Sequence, residues 1–257
     1  MSPMKNDLFD ESFEQLTASP IVESVIQWTA RASFAANDSS WHSHFAEILW
    51  QLPKVQSQHW QSIETMIGSD GTSQQTVNRP WIGLRLESDD GKWIVQVDWQ
   101  GVVLSRLSPY VGWAEFSELG LKAWEAYLEF AKPSEIQKLG VRSINQIPLD
   151  SFDDVSIYLK HPPECLDDAE LPANGFMYQS SHQIPNHPYQ VNVNRTIPHT
   201  GLGTSSPPNL IVDIDAMTTD RHLEVDSSLE HFRVLKWVKD KAFFNLMTEQ
   251  ALEKFRQ

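Results

Sequence analysis

The sequence predicts an α+β fold, antiparallel sheet with helices packed on one face, and three observations carry that expectation. Stretches of period-two hydrophobicity come in runs, and each run is closed by a stretch of helical period, which favours antiparallel over parallel α/β architecture. The order strand, helix, three strands, helix is written twice with a break near Pro133, which reads as a tandem β-α-β-β-β-α duplication. Hydrophobic residues make up 40% of the 257 residues, ten of them tryptophan, so there is material for a sizeable core.

On this reading residues 1–19 form a flexible tail, 20–133 a first half and 134–257 a second. From Ile21 to Phe34, Val22, Ser24, Ile26, Trp28 and Ala30 fall on one face and Glu23, Gln27, Thr29 and Arg31 on the other, the mark of a half-buried strand. Asn37 to Ser40 offers N-cap chemistry to a helix carrying Trp41, Phe45, Ile48, Leu49 and Leu52, which stops at Pro53. Periodicity fades from Gln56 to Arg79; Ile63, Met66 and Ile67 suit one short helical turn, and Gly68 to Asn78 a polar loop. A meander follows: Ile82, Leu84 and Leu86, a turn at Asp89-Asp90-Gly91, then Trp93, Val95, Val97 and Trp99, a turn at Gln100-Gly101, and Val102 to Leu107. Trp113, Phe116, Gly120, Trp124, Tyr127 and Leu128 mark the closing helix, with Glu115 and Glu118 near its positive end.

The second half repeats the scheme. Lys138 to Ile147 is a strand and Ser151 to Leu159 a short helix. Phe176 to His182 and Tyr189 to Ile197 pair across a Pro-rich loop, and Leu210 to Met217 is a further strand. A long helix starts at Ser228, with Leu229, Phe232, Leu235, Ala242, Phe243 and Leu246 on its stripe, and Glu249 to Phe255 is a last short helix.

The net charge of −14 repels phosphate backbones and disfavours general nucleic-acid binding. The densest basic group, Lys236, Lys239 and Lys241, is expected on a solvated helix face. The N-terminus lacks the basic start and apolar run of a signal peptide, and nothing approaches the roughly 20 apolar residues of a spanning helix, so a cytoplasmic protein with no membrane partner is expected. A single cysteine, Cys165, excludes an intrachain disulfide, and its neighbours Glu164, Asp167 and Asp168 oppose thiolate formation.

No Gly-rich phosphate loop, GxSxG or HExxH is present, so neither catalytic residues nor a cofactor are assigned. Asp213 and Asp215 project from one strand face and offer two oxygens to a divalent cation; the expected alternative is that they lie on the solvent face of an edge or half-exposed strand or meet a basic partner, for which Arg142 and Arg195 are candidates. His42 and His44, about 200° apart on a helix, cannot share an ion. His182, His187 and His199 have no zinc-site spacing. Arg142 and Gln146 share one face of their strand. Asn145 lies on the core face with Leu139, Val141 and Ile147, where it must find a partner or line a pocket.

Five segments taken in order resemble a sporadically distributed prokaryotic family of unknown function. They are Pro20-Ile-Val-Glu-Ser-Val-Ile26, Pro109-Tyr-Val-Gly-Trp-Ala-Glu-Phe116, Leu139-Gly-Val-Arg-Ser-Ile-Asn-Gln-Ile147, Leu210-Ile-Val-Asp-Ile-Asp215 and the aromatic helix before Thr248. The resemblance spans the chain from Pro20 to its end. It implies recurrent positions at Tyr110, Trp113, Phe116, Arg142, Asn145, Asp213 and Asp215, keeps the basic residue before Leu-Gly as Lys138, and departs at Ser143, where an aromatic is frequent. The family's patchy occurrence implies mobile or defence-related gene neighbourhoods.

The expectation is therefore a non-enzymatic binding protein, a partner or neutralising subunit of a defence or toxin system. Tyr110, Trp113, Arg142, Asn145, Asp213 and Asp215 are its candidate binding residues, and its partner is a basic protein or a second copy. The alternatives are a small-ligand module with a pocket lined by Trp113, Arg142 and Asn145, and a metal-dependent enzyme acting on a phosphate-bearing substrate through Asp213 and Asp215.

Overall fold

The computed structural model describes residues 9–33, 38–67, 73–78, 80–164, 173–198 and 207–257. The strands are β1 (Ile21–Thr29), β2 (Lys54–His59), β3 (Ser62–Ile67), β4 (Ser73–Asn78), β5 (Trp81–Glu87), β6 (Trp93–Asp98), β7 (Gly101–Leu107), β8 (Lys138–Pro148), β9 (Phe176–Gln183), β10 (Tyr189–Ile197) and β11 (Asn209–Thr218). The helices are α1 (Asp38–Ile48), α2 (Trp113–Ala131), α3 (Val155–Tyr158), α4 (Ser228–Leu246) and α5 (Glu249–Arg256).

The α+β expectation holds. A nine-stranded antiparallel sheet runs β2-β5-β6-β7-β1-β8-β11-β10-β9, and β3 pairs with β4 apart from it. Both halves contribute to the one sheet, because β1 pairs with β8 from Ile21↔Asn145 to Thr29↔Lys138. In each half the first strand lies at the centre and the last strand sits beside it: β7 next to β1, β11 next to β8.

Period-two alternation divides the sheet into a covered and an open face. Ile26 and Trp28 of β1, Leu139 and Val141 of β8 and Val212 and Ile214 of β11 are buried beneath the helices. There α2 packs on β7, and α4 packs on β8 and β11. Trp28 stacks on Trp124 of α2 at 5.7 Å and meets Phe232 of α4 edge-on at 4.7 Å, tying both helices to the central strand. Gly120 lets α2 come close, since a Cβ there would lie 3.1 Å from the Trp28 ring and 3.3 Å from Leu104. The open face is polar. One register row crosses all the strands from Gln56 through Arg85, Gln96, Val103, Gln27, Gly140, Met217 and Gln190 to Gln183.

Three local expectations are corrected. The helical turn around Ile63, Met66 and Ile67 is strand β3, and half of the expected loop, Ser73–Asn78, is its partner β4. Pairing rather than hydrophobic period sets these elements and the largely exposed edge strand β2, so their alternation is silent. Trp93 and Trp99 of the meander and Trp113 of the helix stripe, whose periodic positions predict burial, are only half-buried, whereas Trp28, Trp41 and Trp124 are fully covered. Residues 9–19, expected within a flexible tail, lie along α4 and α5. Phe9 meets Trp237 at 5.2 Å, Phe13 stacks on Phe244 at 5.2 Å, Glu11 pairs with Lys241, and Glu14 takes Arg256 bidentately. Residues 1–8, Phe34, Cys165 and His199 lie outside the described residues. Among those described, no helix is long and apolar enough to cross a membrane.

Candidate binding site

Where β1, β7 and β8 run beneath the start of α2, the covered face turns polar. Strand register lays Arg106, Ser24 and Ser143 side by side, and Asn145 follows two residues along β8 on the same face. All are buried, Asn145 to 1% exposure and Arg106 to 6%. Arg106 lies over the Trp93 ring at 4.7 Å, and its Nε and Nη1 find no partner. The Asn145 amide donates from Nδ2 to the Val212 carbonyl at 2.9 Å, while its Oδ1 is buried and unmet. An unmet buried acceptor costs about 1–3 kcal/mol, so a native fold rarely carries one without a use.

Opposite Asn145, α4 presents a charged cluster instead of its apolar stripe. Lys236 donates to Asp240 at 2.7 Å, one helical turn on, and Lys239 bonds the other carboxylate oxygen. Lys239 is only 9% exposed. Burial pushes the Asp240 carboxyl up, but the Lys239 and Lys236 ammonium groups together more than offset it and hold the acid below its ordinary range. Tyr110 is the third polar wall. Burial, with the Asp240 charge adding to it, pushes its phenol well above the ordinary range, so it stays a protonated donor. Beside it α2 opens at Trp113 behind Gly112, with no side chain capping its first N–H groups.

Tyr110, Trp113, Ser143, Asn145, Lys236, Lys239 and Asp240 line a cavity of about 190 Å³, with Arg106 and Ser24 outside its lining. Phe13 to Leu16 and Ser19 form its roof, and Gln15 reaches over the start of α2. The helix start and Lys236 offer donors to an anionic group. Asn145 Oδ1 offers an acceptor to a hydroxyl or amine.

The structure splits the residues singled out in the sequence. Tyr110, Trp113 and Asn145 converge on this cavity. Arg142, Asp213 and Asp215 lie on the open face, because β-strand neighbours alternate. There Arg142 grips Asp213 with two bonds, of 2.7 and 2.6 Å. Burial pushes the Asp215 carboxyl up toward its neutral form, partly countered by Lys138 and Arg142. The pocket expected from Trp113, Arg142 and Asn145 is thus corrected: Arg142 does not reach it. Arg195, the other candidate partner for the aspartates, is on the covered face opposite Val212. His44 bonds the Ala126 carbonyl at 2.9 Å and links α1 to α2. Among the described residues, no group of three or more His, Cys, Asp and Glu is placed to hold a metal ion.

Sequence reading missed Lys236, Lys239 and Asp240 as residues of the cavity. A signal existed for Lys239. It stands seven residues after Phe232, and four from both Leu235 and Phe243, all on the buried stripe. The lysines were expected on a solvated face; the helix instead turns Lys239 inward, where Asp240 neutralises it.

No family model and no curated protein matches the chain. Among solved structures it is similar to one described as Methanococcus jannaschii TBP, at 12% identity over 86% of this chain and 97% of that one, with a TM-score of 0.26. So loose a superposition says nothing about a shared site.

Proposed function

We propose that the protein is a binding module for a small polar ligand that carries both a hydrogen-bond donor and an anionic group. The observation behind this reading is the unmet Asn145 Oδ1, which lines a cavity shared with Lys236, Asp240 and an uncapped helix start. The ligand's donor meets Asn145, and its anionic group meets Lys236 and the first N–H groups of α2. The test is a thermal-shift screen of amino acids, nucleotides and sugar phosphates, with hits measured by calorimetry. A true ligand raises the melting temperature in the native chain. Asn145→Leu, with its native circular dichroism checked, is expected to bind the same compound at least about tenfold more weakly, the equivalent of one hydrogen bond of about 1.4 kcal/mol. Equal affinity in the variant would sink the assignment.

A second reading keeps the expected protein partner, in a defence or toxin system. It is supported by the helix-free face, whose polar side chains cross every strand of the sheet with the Arg142–Asp213 pair near its middle. Co-purification with a genetically neighbouring basic protein, lost when Asp213, Asp215 and Glu23 are neutralised together, would favour it over the ligand module. The metal-dependent reading requires the Arg142–Asp213 pair to open first.

A further inference from the structure

A second groove lies on the covered face at the other side of α4, between that helix and the strands β9 and β10. Val191 and Val193 floor it, and Val238 and Ala242 of α4 wall it. Its cavity volume is about 450 Å³. Space of this order accommodates a small molecule, and an apolar lining with a few polar groups is the usual form of such a site.

Its charge is the unusual feature. In a chain of net charge −14, the described lining contains Arg195, Lys241, His161 and His182 and no aspartate or glutamate. Lys241 is already held by Glu11 at 2.6 Å, so the open cation is Arg195. It is 8% exposed and stands on β10 beyond the two floor valines. Its guanidinium lies 4.2 Å from the Tyr178 ring centroid, and Nη1 donates to the His161 carbonyl at 2.8 Å. Its Nε has no partner, and among the described residues no carboxylate pairs with it. A guanidinium that sits beside valines with no described counter-charge is costly. The Tyr178 face and one carbonyl meet only part of its demand.

We propose that this groove binds an amphiphilic anion, a carboxylate on an apolar chain. The head group meets Arg195 and the chain lies along Val193, Val191 and Val238. This site is independent of the cavity at Asn145, and either assignment stands if the other fails.

The probe is decanoate, titrated calorimetrically into the full chain, with decanol and inorganic phosphate as controls. One saturable site is expected for decanoate, with decanol at least about tenfold weaker and phosphate silent, because head and tail both contribute. Arg195→Met should cost decanoate at least about tenfold while leaving decanol unchanged. Ala242→Trp, which fills the groove from the helix side and keeps the buried strands intact, should abolish both. Asn145→Leu should leave decanoate binding untouched. The proposal is overturned by no decanoate binding, by equal binding of decanol, or by decanoate binding that survives Ala242→Trp in a protein whose circular dichroism is native.

Discussion

Asp240 shows how a single side chain can hold a site together at a cost that depends on pH. Its carboxylate accepts from Lys236 and Lys239, and with both lysines partly or wholly covered the acid is depressed in the folded state. A depressed folded-state acid contributes stability that is present above the unfolded-state value and is lost as pH falls through the folded one. Asp240→Asn is therefore expected to destabilise by about 2–3 kcal/mol at neutral pH. That is less than the 3–5 typical of breaking a fully buried pair, because Lys236 is a third exposed. Denaturant melts of both proteins should converge as pH drops below the ordinary aspartate range; a gap that stays constant with pH would rule out the ionic account. At the same scale the sequence was partly legible. Asn145 stood out as a polar residue on an apolar strand face. Arg106 did not, because nothing in Ser105-Arg-Leu107 says which face is covered until α2 is placed on it.

At the scale of elements, the close crossing of β1 and β7 depends on Gly101. It holds φ at 144°, and a Cβ there would fall 1.9 Å from the Trp28 carbonyl oxygen, a backbone atom that cannot move aside. Gly101→Ala should therefore cost about 2–3 kcal/mol, at the upper end of ordinary substitutions, read as a lower denaturant midpoint with unchanged slope. A midpoint within about 0.5 kcal/mol of the native protein would show that the crossing relaxes. Strands and helices with a buried face were readable because burial imposes their period: β1, β8, β10 and β11 alternate cleanly, and α2 and α4 carry stripes. The edge strand β2 and the hairpin β3–β4 were not. Their residues are chosen by water on most sides, and the hydrogen bonds that make them strands leave no trace in hydrophobicity.

For the whole molecule the decisive contact is β1 against β8, which joins residues from both halves into one sheet through eight partner positions along β1. With Trp28 of the first half also packed on Phe232 of the second, separate melting of the halves would tear a shared core. A single cooperative transition is expected, with calorimetric and van't Hoff enthalpies equal. Two resolved transitions would mean that the halves fold independently. Among the described residues the two halves do not repeat one order of elements: six strands, β2 to β7, stand between α1 and α2, and three, β9 to β11, between α3 and α4.

The sequence by itself determined the class of fold, the covered faces of the long elements and the acidic, cysteine-poor character of the chain. These are properties of composition and period, and period survives without coordinates. Tertiary structure alone decided that Arg142 and Asp213 pair on the open face while Asn145 turns to a cavity beneath α4. It also decided that Lys236, Lys239 and Asp240 belong to that cavity, and that Arg195 stands without a described counter-charge in a second groove. The physical reason is separation along the chain. Asn145 and Lys239 lie 94 positions apart, and only the packing of α4 across β8 and β11 brings them to one space.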